Sequence, residues 1–173
     1  MNNEITIILL SHKSKNLVLN FIKDIHIKYK IIIIDNSNDI DLKNIIHKNF
    51  PGVLINIIEN NGYGSAINYA SKLVTTKYFL ISNPDISDLN EININKFLDA
   101  AKILNDNFSA LGPRFVNANP KSLIQSDPKK EIAEMEFISG ACMFFRKEKF
   151  ISLGGFDENF FLYFEESDLC LRA

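Results

Sequence analysis

The sequence predicts an α/β protein: a mostly parallel sheet covered by helices on both faces, with a small antiparallel addition after about residue 108. Three observations predict it. The runs at 5–10, 31–35, 53–58 and 78–82 are apolar without polar alternation, as strands buried on both faces must be. Between them, apolar residues recur at helical spacing. The connections are short, and strands alternating with helices in this way build parallel sheets.

The elements follow in order. ITIILL at 5–10 is the first strand, and Ser14 can cap a helix that carries Leu17, Val18, Phe21, Ile22 and Ile25 on one face. IIIID at 31–35 is a second strand and ends in an acid. Leu42, Ile45 and Ile46 mark a short helix, VLINII at 53–58 a third strand, and Ala66, Ile67, Ala70, Leu73 and Val74 another helix. YFLIS at 78–82 is the fourth strand; Ile94, Phe97, Leu98, Ala101 and Leu104 mark a longer helix. Beyond residue 108 the alternation stops. ALGPRF, SLIQS and EFISGACMFFR read as strands without a long helix between them, hence antiparallel. The last five residues, Leu169 to Ala173, look like helix interior with no stop signal, which predicts a fragment of something longer.

Composition excludes several classes. The 173 residues are 46% hydrophobic and 23% charged, a globular composition and not a disordered one. A balance of 19 Lys+Arg against 21 Asp+Glu, without a basic stripe, gives no bulk attraction to nucleic acid. No signal peptide is evident, and no apolar run approaches the about 20 residues that cross a bilayer. Cys142 and Cys170 lie in apolar surroundings without metal-ligand spacing and read as buried thiols of a reducing compartment. A cytoplasmic protein is expected.

Right-handed crossovers bring the carboxyl ends of all the strands to one edge, where ligands bind in such sheets. Four ends here are polar: Ser11-His12, Asp35-Asn36, Glu59-Asn60-Asn61 and Asn83-Pro84-Asp85. In the loop NNGYGSAIN at 60–68, Gly62 and Gly64 permit positive φ and let a ligand approach a helix N-terminus; two glycines before a helix are more often simple turn chemistry. Asp35 could accept hydrogen bonds from a ribose or a base, or it could cap the next helix or order the Asn36-Ser37-Asn38 turn. Asp85 could hold Mg²⁺ or Mn²⁺ on a diphosphate, since such a site needs only one or two protein carboxylates. Taken alone, a turn that ends a strand explains Asn83-Pro84-Asp85 better. Gly154-Gly155 allows a tight bend, after which Phe156 can pack and Asp157 can face the cleft. Glu165, Glu166 and Asp168 place three acids within four residues, and a carboxylate among like charges is a plausible general base. Glu165 and Asp168 share a helix face, and Asp168 stands four before Arg172, the spacing of an ion pair. Glu166 lacks such a partner and is the candidate base, although an acidic helix start explains all three more simply.

Together these segments resemble glycosyltransferase family 2, and its rhamnosyltransferase-like members in particular. ITIILLSHK, IIIIDNSND, NNGYGSAIN, FLISNPD, FISGACMFFRKEKF and GGFDENFFLYFEESDLCLRA occur in the family's order and cover nearly the whole chain. The resemblance implies the GT-A (Rossmann-like) fold and an inverting transfer from a nucleotide-diphosphate sugar, such as dTDP-rhamnose or a UDP-sugar. The acceptor would be a hydroxyl of a glycan or lipid-linked acceptor in cell-surface polysaccharide synthesis. It further implies that Asp85 holds the divalent metal, with Asn83 in place of an acid. Ser11, Asp35, Asn36, Asn61, Gly62, Gly64, Asn68 and Asn83 would face the nucleotide, and Gly155, Phe156 and Asp157 the acceptor. Glu166, beside Glu165 and Asp168, would be the base, standing where the family carries an aspartate. Residues 1–173 would be one domain, 1–107 its donor half and 108–173 an incomplete acceptor half. Family members usually continue further, often with a histidine completing the metal site, whereas His12, His26 and His47 all lie in the first half. Work at the inner face of the cell membrane, by peripheral association, is also implied. Two alternatives stand beside this one: a truncated nucleotide-sugar-binding module without turnover, and a sugar nucleotidyltransferase, against which SHKSKN has no glycine.

Overall fold

A computed structural model describes residues 2–114 and 131–173. It contains β1 (Asn2–Ser11), α1 (Lys15–Ile22), β2 (Tyr29–Asp35), α2 (Ile40–Asn49), β3 (Val53–Ile57), α3 (Tyr63–Leu73), β4 (Tyr78–Ser82), α4 (Glu91–Ile103), β5 (Cys142–Arg146), α5 (Lys147–Ser152) and α6 (Glu165–Arg172). The strands form one sheet in the order β3-β2-β1-β4-β5. The first four are parallel and β5 runs antiparallel to β4. This is the expected mostly parallel sheet with an antiparallel addition.

Strand alternation splits the apolar side chains between two cores, and the helices follow. Ile5, Ile7, Leu9, Ile31, Ile33, Leu80 and Phe144 face α1, α2 and α4. Ile8, Ile32, Ile34, Phe79, Ile81, Met143 and Phe145 face α3, Phe150 of α5, Phe156 and Leu169 of α6. The chain steps outward from β1 to β3, then must return past β1 to reach β4. Right-handedness forces that return, α3, onto the opposite face. In open parallel sheets such a reversal, here at the carboxyl ends of β1 and β4, is where ligands bind.

Three expectations change. Ser14 stands at the start of α1 but makes no capping hydrogen bond; its hydroxyl lies 3.2 Å from that of Ser11. The strand expected over ALGPRF reduces to one bridge, Leu111 with Phe144, because Pro113 has no amide donor to extend a ladder. In EFISGACMFFR the strand begins only at Cys142. Before it the chain turns, Cys142 donating its amide to the Ser139 carbonyl at 3.3 Å. SLIQS lies outside the described residues.

Phe144 anchors the first core, stacked against Tyr78 at 5.1 Å, Phe97 at 5.5 Å and Phe108 at 5.9 Å between ring centroids. Phe144→Ala should lower stability by about 3–5 kcal/mol in urea denaturation. Leu171→Ala, at an exposed position, should stay within about 0.5 kcal/mol of wild type.

Candidate active site

The register levels the strand ends. Ser11 pairs with Asp35, Asp35 with Ile57, and Leu9 with Ser82. Because β5 is antiparallel, its first residue, Cys142, meets Ser82 and reaches the same edge. Ser11, Asp35, Asn36 and Asn83 therefore line one rim. Beside β1 and β2 the rim opens into a cleft of about 670 Å³ lined by Lys13, Ser14, Ser37, Asn38, Asp39 and Asp41 among others.

Asp35 is fully buried there. Its Oδ1 accepts the amides of Ser37 at 3.0 Å and Asp39 at 2.9 Å, and its Oδ2 accepts the Ser37 hydroxyl at 3.0 Å. This carboxylate orders the turn, while Asp39 caps α2 through the Leu42 amide at 2.8 Å. Asn36 links three strand ends: His12 Nδ1 donates to its Oδ1 at 2.9 Å, and its Nδ2 donates to Asn60 Oδ1 at 2.9 Å. Asn60 Oδ1 also accepts the Gly62 amide at 3.3 Å. Asn61 is exposed, its amide on the Glu59 carbonyl at 3.1 Å.

The two glycines of the following loop admit the chain itself. Gly62 has φ +97°, and a Cβ there would sit 2.3 Å from the Phe161 carbonyl oxygen, which accepts the Tyr63 amide at 3.0 Å. A Cβ at Gly64 would lie 2.9 Å from Cβ of Phe156. Asn68 grips the same segment. Its Oδ1 accepts the Phe156 amide at 3.0 Å, and its Nδ2 donates to the Phe156 carbonyl at 2.8 Å and to Glu158 Oε1 at 2.9 Å. Gly155 is needed opposite, since a Cβ would come within 2.5 Å of Asn68 Oδ1. Phe156 is buried, and Asp157 Oδ1 holds the Asn159 amide at 2.9 Å.

The acids follow a strained entry, with Tyr163 at φ 68° and Phe164 at φ 71°. The shared face expected for Glu165 and Asp168 divides. Glu165 turns inward, and burial first, then the neighbouring Glu166, pushes its carboxyl upward from the ordinary range. Asp168 pairs with Arg172 at 2.6 Å, as its spacing predicts, and Arg172 also donates to the carbonyls of Leu153 and, at 2.8 Å, Gly155. Glu166 lies along Gly140: a Cβ at 140 would stand 3.5, 3.6 and 3.7 Å from its Cβ, Cγ and Cδ. Oε2 of both Glu165 and Glu166 is buried with no hydrogen-bond partner among the described residues, an arrangement that calls for an explanation.

The segment beside Glu166 leads to the Asn-Pro-Asp turn. The Gly140 carbonyl accepts the Tyr63 hydroxyl at 2.6 Å, and the Ala141 carbonyl accepts the Asn83 amide at 2.9 Å. Asp85 is exposed, with no hydrogen bond to its carboxylate among the described residues. Nor do three or more His, Cys, Asp or Glu side chains gather into a cation cage among them. A lone free carboxylate suits a divalent cation whose other ligands are phosphate oxygens and water. Tyr63 and Gly140 are missing from the residues singled out in the sequence, although a tyrosine between two glycines at a helix start was a usable signal.

The family model for glycosyl transferase family 2 matches residues 6–164. The low-salt glycan biosynthesis hexosyltransferase Agl10 of Haloferax volcanii is 25% identical over 196 residues, covering all of this chain and 62% of its own. The rhamnosyltransferase WbbL of Escherichia coli is 28% identical over 206 residues, covering 96% of this chain and 75% of its own. Among solved structures, the mannosyltransferase PcManGT of Pyrobaculum calidifontis, in complex with GDP-Man and Mn²⁺, superposes with TM-score 0.68 at 16% identity, covering 98% of this chain and 51% of that one. The fold is thus GT-A, and the chain spans about half to three quarters of the proteins it matches.

Burial raises the Glu165 carboxyl above its ordinary 4.5, so folding favours its protonated form. That preference is complete below 4.5 and is lost as pH rises through the folded value. Glu165→Gln should therefore melt above wild type near neutral pH and lose the advantage in acid below 4.5. Thermal melts at both conditions check this.

Proposed function

Because the chain belongs to glycosyl transferase family 2, we propose that it carries the donor-binding and catalytic machinery of an inverting glycosyltransferase. The observation that carries this reading is the convergence of the Asn83-Pro84-Asp85 turn and Glu166 on the Gly140–Ala141 backbone at the carboxyl edge of the sheet. The hexosyltransferase and rhamnosyltransferase relatives and the nucleotide-sugar complex of the structural neighbour support it. The donor is a nucleoside diphosphate sugar, a UDP-sugar or dTDP-rhamnose. The acceptor is a glycan or lipid-linked hydroxyl in polysaccharide synthesis. The chain acts as one domain, with 1–107 serving the donor and 108–173 beginning the acceptor side.

The rim from Ser11 through Asp35, Asn36 and Asn61 to Asn83 holds the nucleotide, and the loop Gly62 to Asn68 shapes its floor. Asp85 holds Mg²⁺ or Mn²⁺, which when bound offsets the charge of the departing diphosphate. Glu166 takes the proton from the acceptor hydroxyl as that oxygen attacks the anomeric carbon. The bond to the nucleoside diphosphate breaks on the opposite side, so the configuration inverts. Burial, and then the neighbouring Glu166, raises the Glu165 carboxyl above the ordinary range, so the two acids differ in environment. Asp168 fixes Arg172 against the Gly155 carbonyl, and with it the Gly155-Phe156-Asp157 turn that faces the acceptor. No described helix is long and apolar enough to cross a membrane; the proposed place of action is the cytoplasm, at the inner face of the membrane.

One feature favours a second reading, a nucleotide-sugar-binding module without turnover. Glu166 carries one methylene more than the aspartate of the family, and misplacement by roughly an ångström costs catalysis heavily.

Calorimetry with UDP and dTDP, each with and without Mn²⁺, tests the donor site. One nucleotide should bind in a metal-dependent way, and Asp85→Ala should weaken it at least about tenfold. Binding of neither would sink the reading. In transfer assays Glu166→Gln should lower kcat by about 10²–10⁴-fold while the donor KM stays unchanged. Binding without any transfer by wild type would select the module.

A further inference from the structure

The Tyr63 phenol is a buried polar group beside the candidate site that the proposed mechanism leaves unused. It opens α3, is 8% exposed, and sets its ring edge-on to Phe156 at 6.0 Å between centroids. Its amide is held by the Phe161 carbonyl and its hydroxyl donates to the Gly140 carbonyl at 2.6 Å, so both ends of the residue are fixed. A phenylalanine would fill the same space. What the hydroxyl adds is the bond it makes, and that bond is to one peptide.

That peptide is where the two halves of the candidate site meet. Gly140 carries no side chain, and Glu166 lies where one would begin to touch it. The next carbonyl, of Ala141, receives the amide of Asn83, two residues before Asp85. The segment is also tied by the turn at Ser139, whose Oγ accepts the Ala141 amide at 3.3 Å and whose carbonyl accepts the Cys142 amide at 3.3 Å. Rotation of the Gly140 peptide would move the surface on which Glu166 rests, and no side chain at 140 resists it.

We propose that Tyr63 is a positioning residue that, by holding the Gly140 carbonyl, sets Glu166 against the Asn83–Asp85 turn. The proposal rests on Glu166 being the base, but its structural part stands on the Tyr63–Gly140–Glu166 contacts alone. The titratable groups around Glu166 are Glu165 beside it, Tyr63 across from it on α3, and Cys170 further along α6.

The test compares wild type, Tyr63→Phe and Gly140→Ala. Gly140→Ala keeps the hydrogen bond but adds a methyl group that meets Glu166 at ordinary contact distance. Carboxyl ¹³C resonances of labelled glutamates are recorded at one neutral pH, with Glu166→Gln identifying the Glu166 signal. Both variants should fold, and both should move the Glu166 resonance while distant glutamates such as Glu4 and Glu91 stay in place. An unchanged Glu166 resonance in folded Tyr63→Phe overturns the proposal whether or not the protein transfers sugar. With UDP-GlcNAc or dTDP-rhamnose as donor and water as acceptor, Tyr63→Phe should lower kcat about tenfold with the donor KM within about twofold. A merely structural tyrosine would lower the melting temperature and leave kcat per folded molecule unchanged, and that result also overturns it. If Glu166→Gln retains full turnover while the resonance still moves, the assignment of the base fails and the positioning contact stands.

Discussion

One backbone contact organises the functional edge: the Phe161 carbonyl seated on the N-terminus of α3, with no Cβ at Gly62 to keep it away. A helix start has amides with no partner in its own helix. Here a distant strand of chain supplies one, and only glycine tolerates both the left-handed φ and the proximity. That contact fixes one end of the segment leading to α6. Asn68 and Arg172 fix the other, through the backbone of Phe156 and Gly155. Between these ties the chain has little choice but to bring Glu165 and Glu166 over the sheet edge.

The two cores divide the work accordingly. The face covered by α1, α2 and α4 is built mostly from a βα succession close in sequence, with Cys142 and Phe144 of β5 as its contribution from further along the chain. The opposite face is closed by Phe150, Phe156 and Leu169 against α3 and the sheet, contacts between segments far apart in the chain. The candidate site belongs to this second face. Its cost is visible in two buried carboxylate oxygens with no partner among the described residues, which only a completed and rigid surrounding can sustain.

The strands and their order of succession were legible because parallel strands covered on both faces must be continuous apolar runs. The rim was legible for a similar reason, polar residues abruptly ending those runs. Less of the site could be read. Asp35 looked equally suited to a ligand or a turn, and its carboxylate accepts the turn amides of Ser37 and Asp39. Gly62 and Gly64 announce a close approach without saying by what, since a glycine records the absence of a side chain and not the identity of its neighbour. Tyr63 and Gly140 are linked across 77 positions by a single hydroxyl–carbonyl bond, and no local periodicity encodes such a pair. EFISGACMFFR overran its strand because apolar content cannot show where the Ser139 turn interrupts the ladder.

The central place of β1 has a consequence for how the protein is made. Residues 2–11 leave the ribosome before the strands that flank them: β2 follows soon, whereas β4 cannot pair until Tyr78–Ser82 has been synthesised. Through that interval the nascent chain carries an apolar strand with one hydrogen-bonding edge open. Translation speed across α2, β3 and α3 thereby sets how long that edge stays available to the wrong partner.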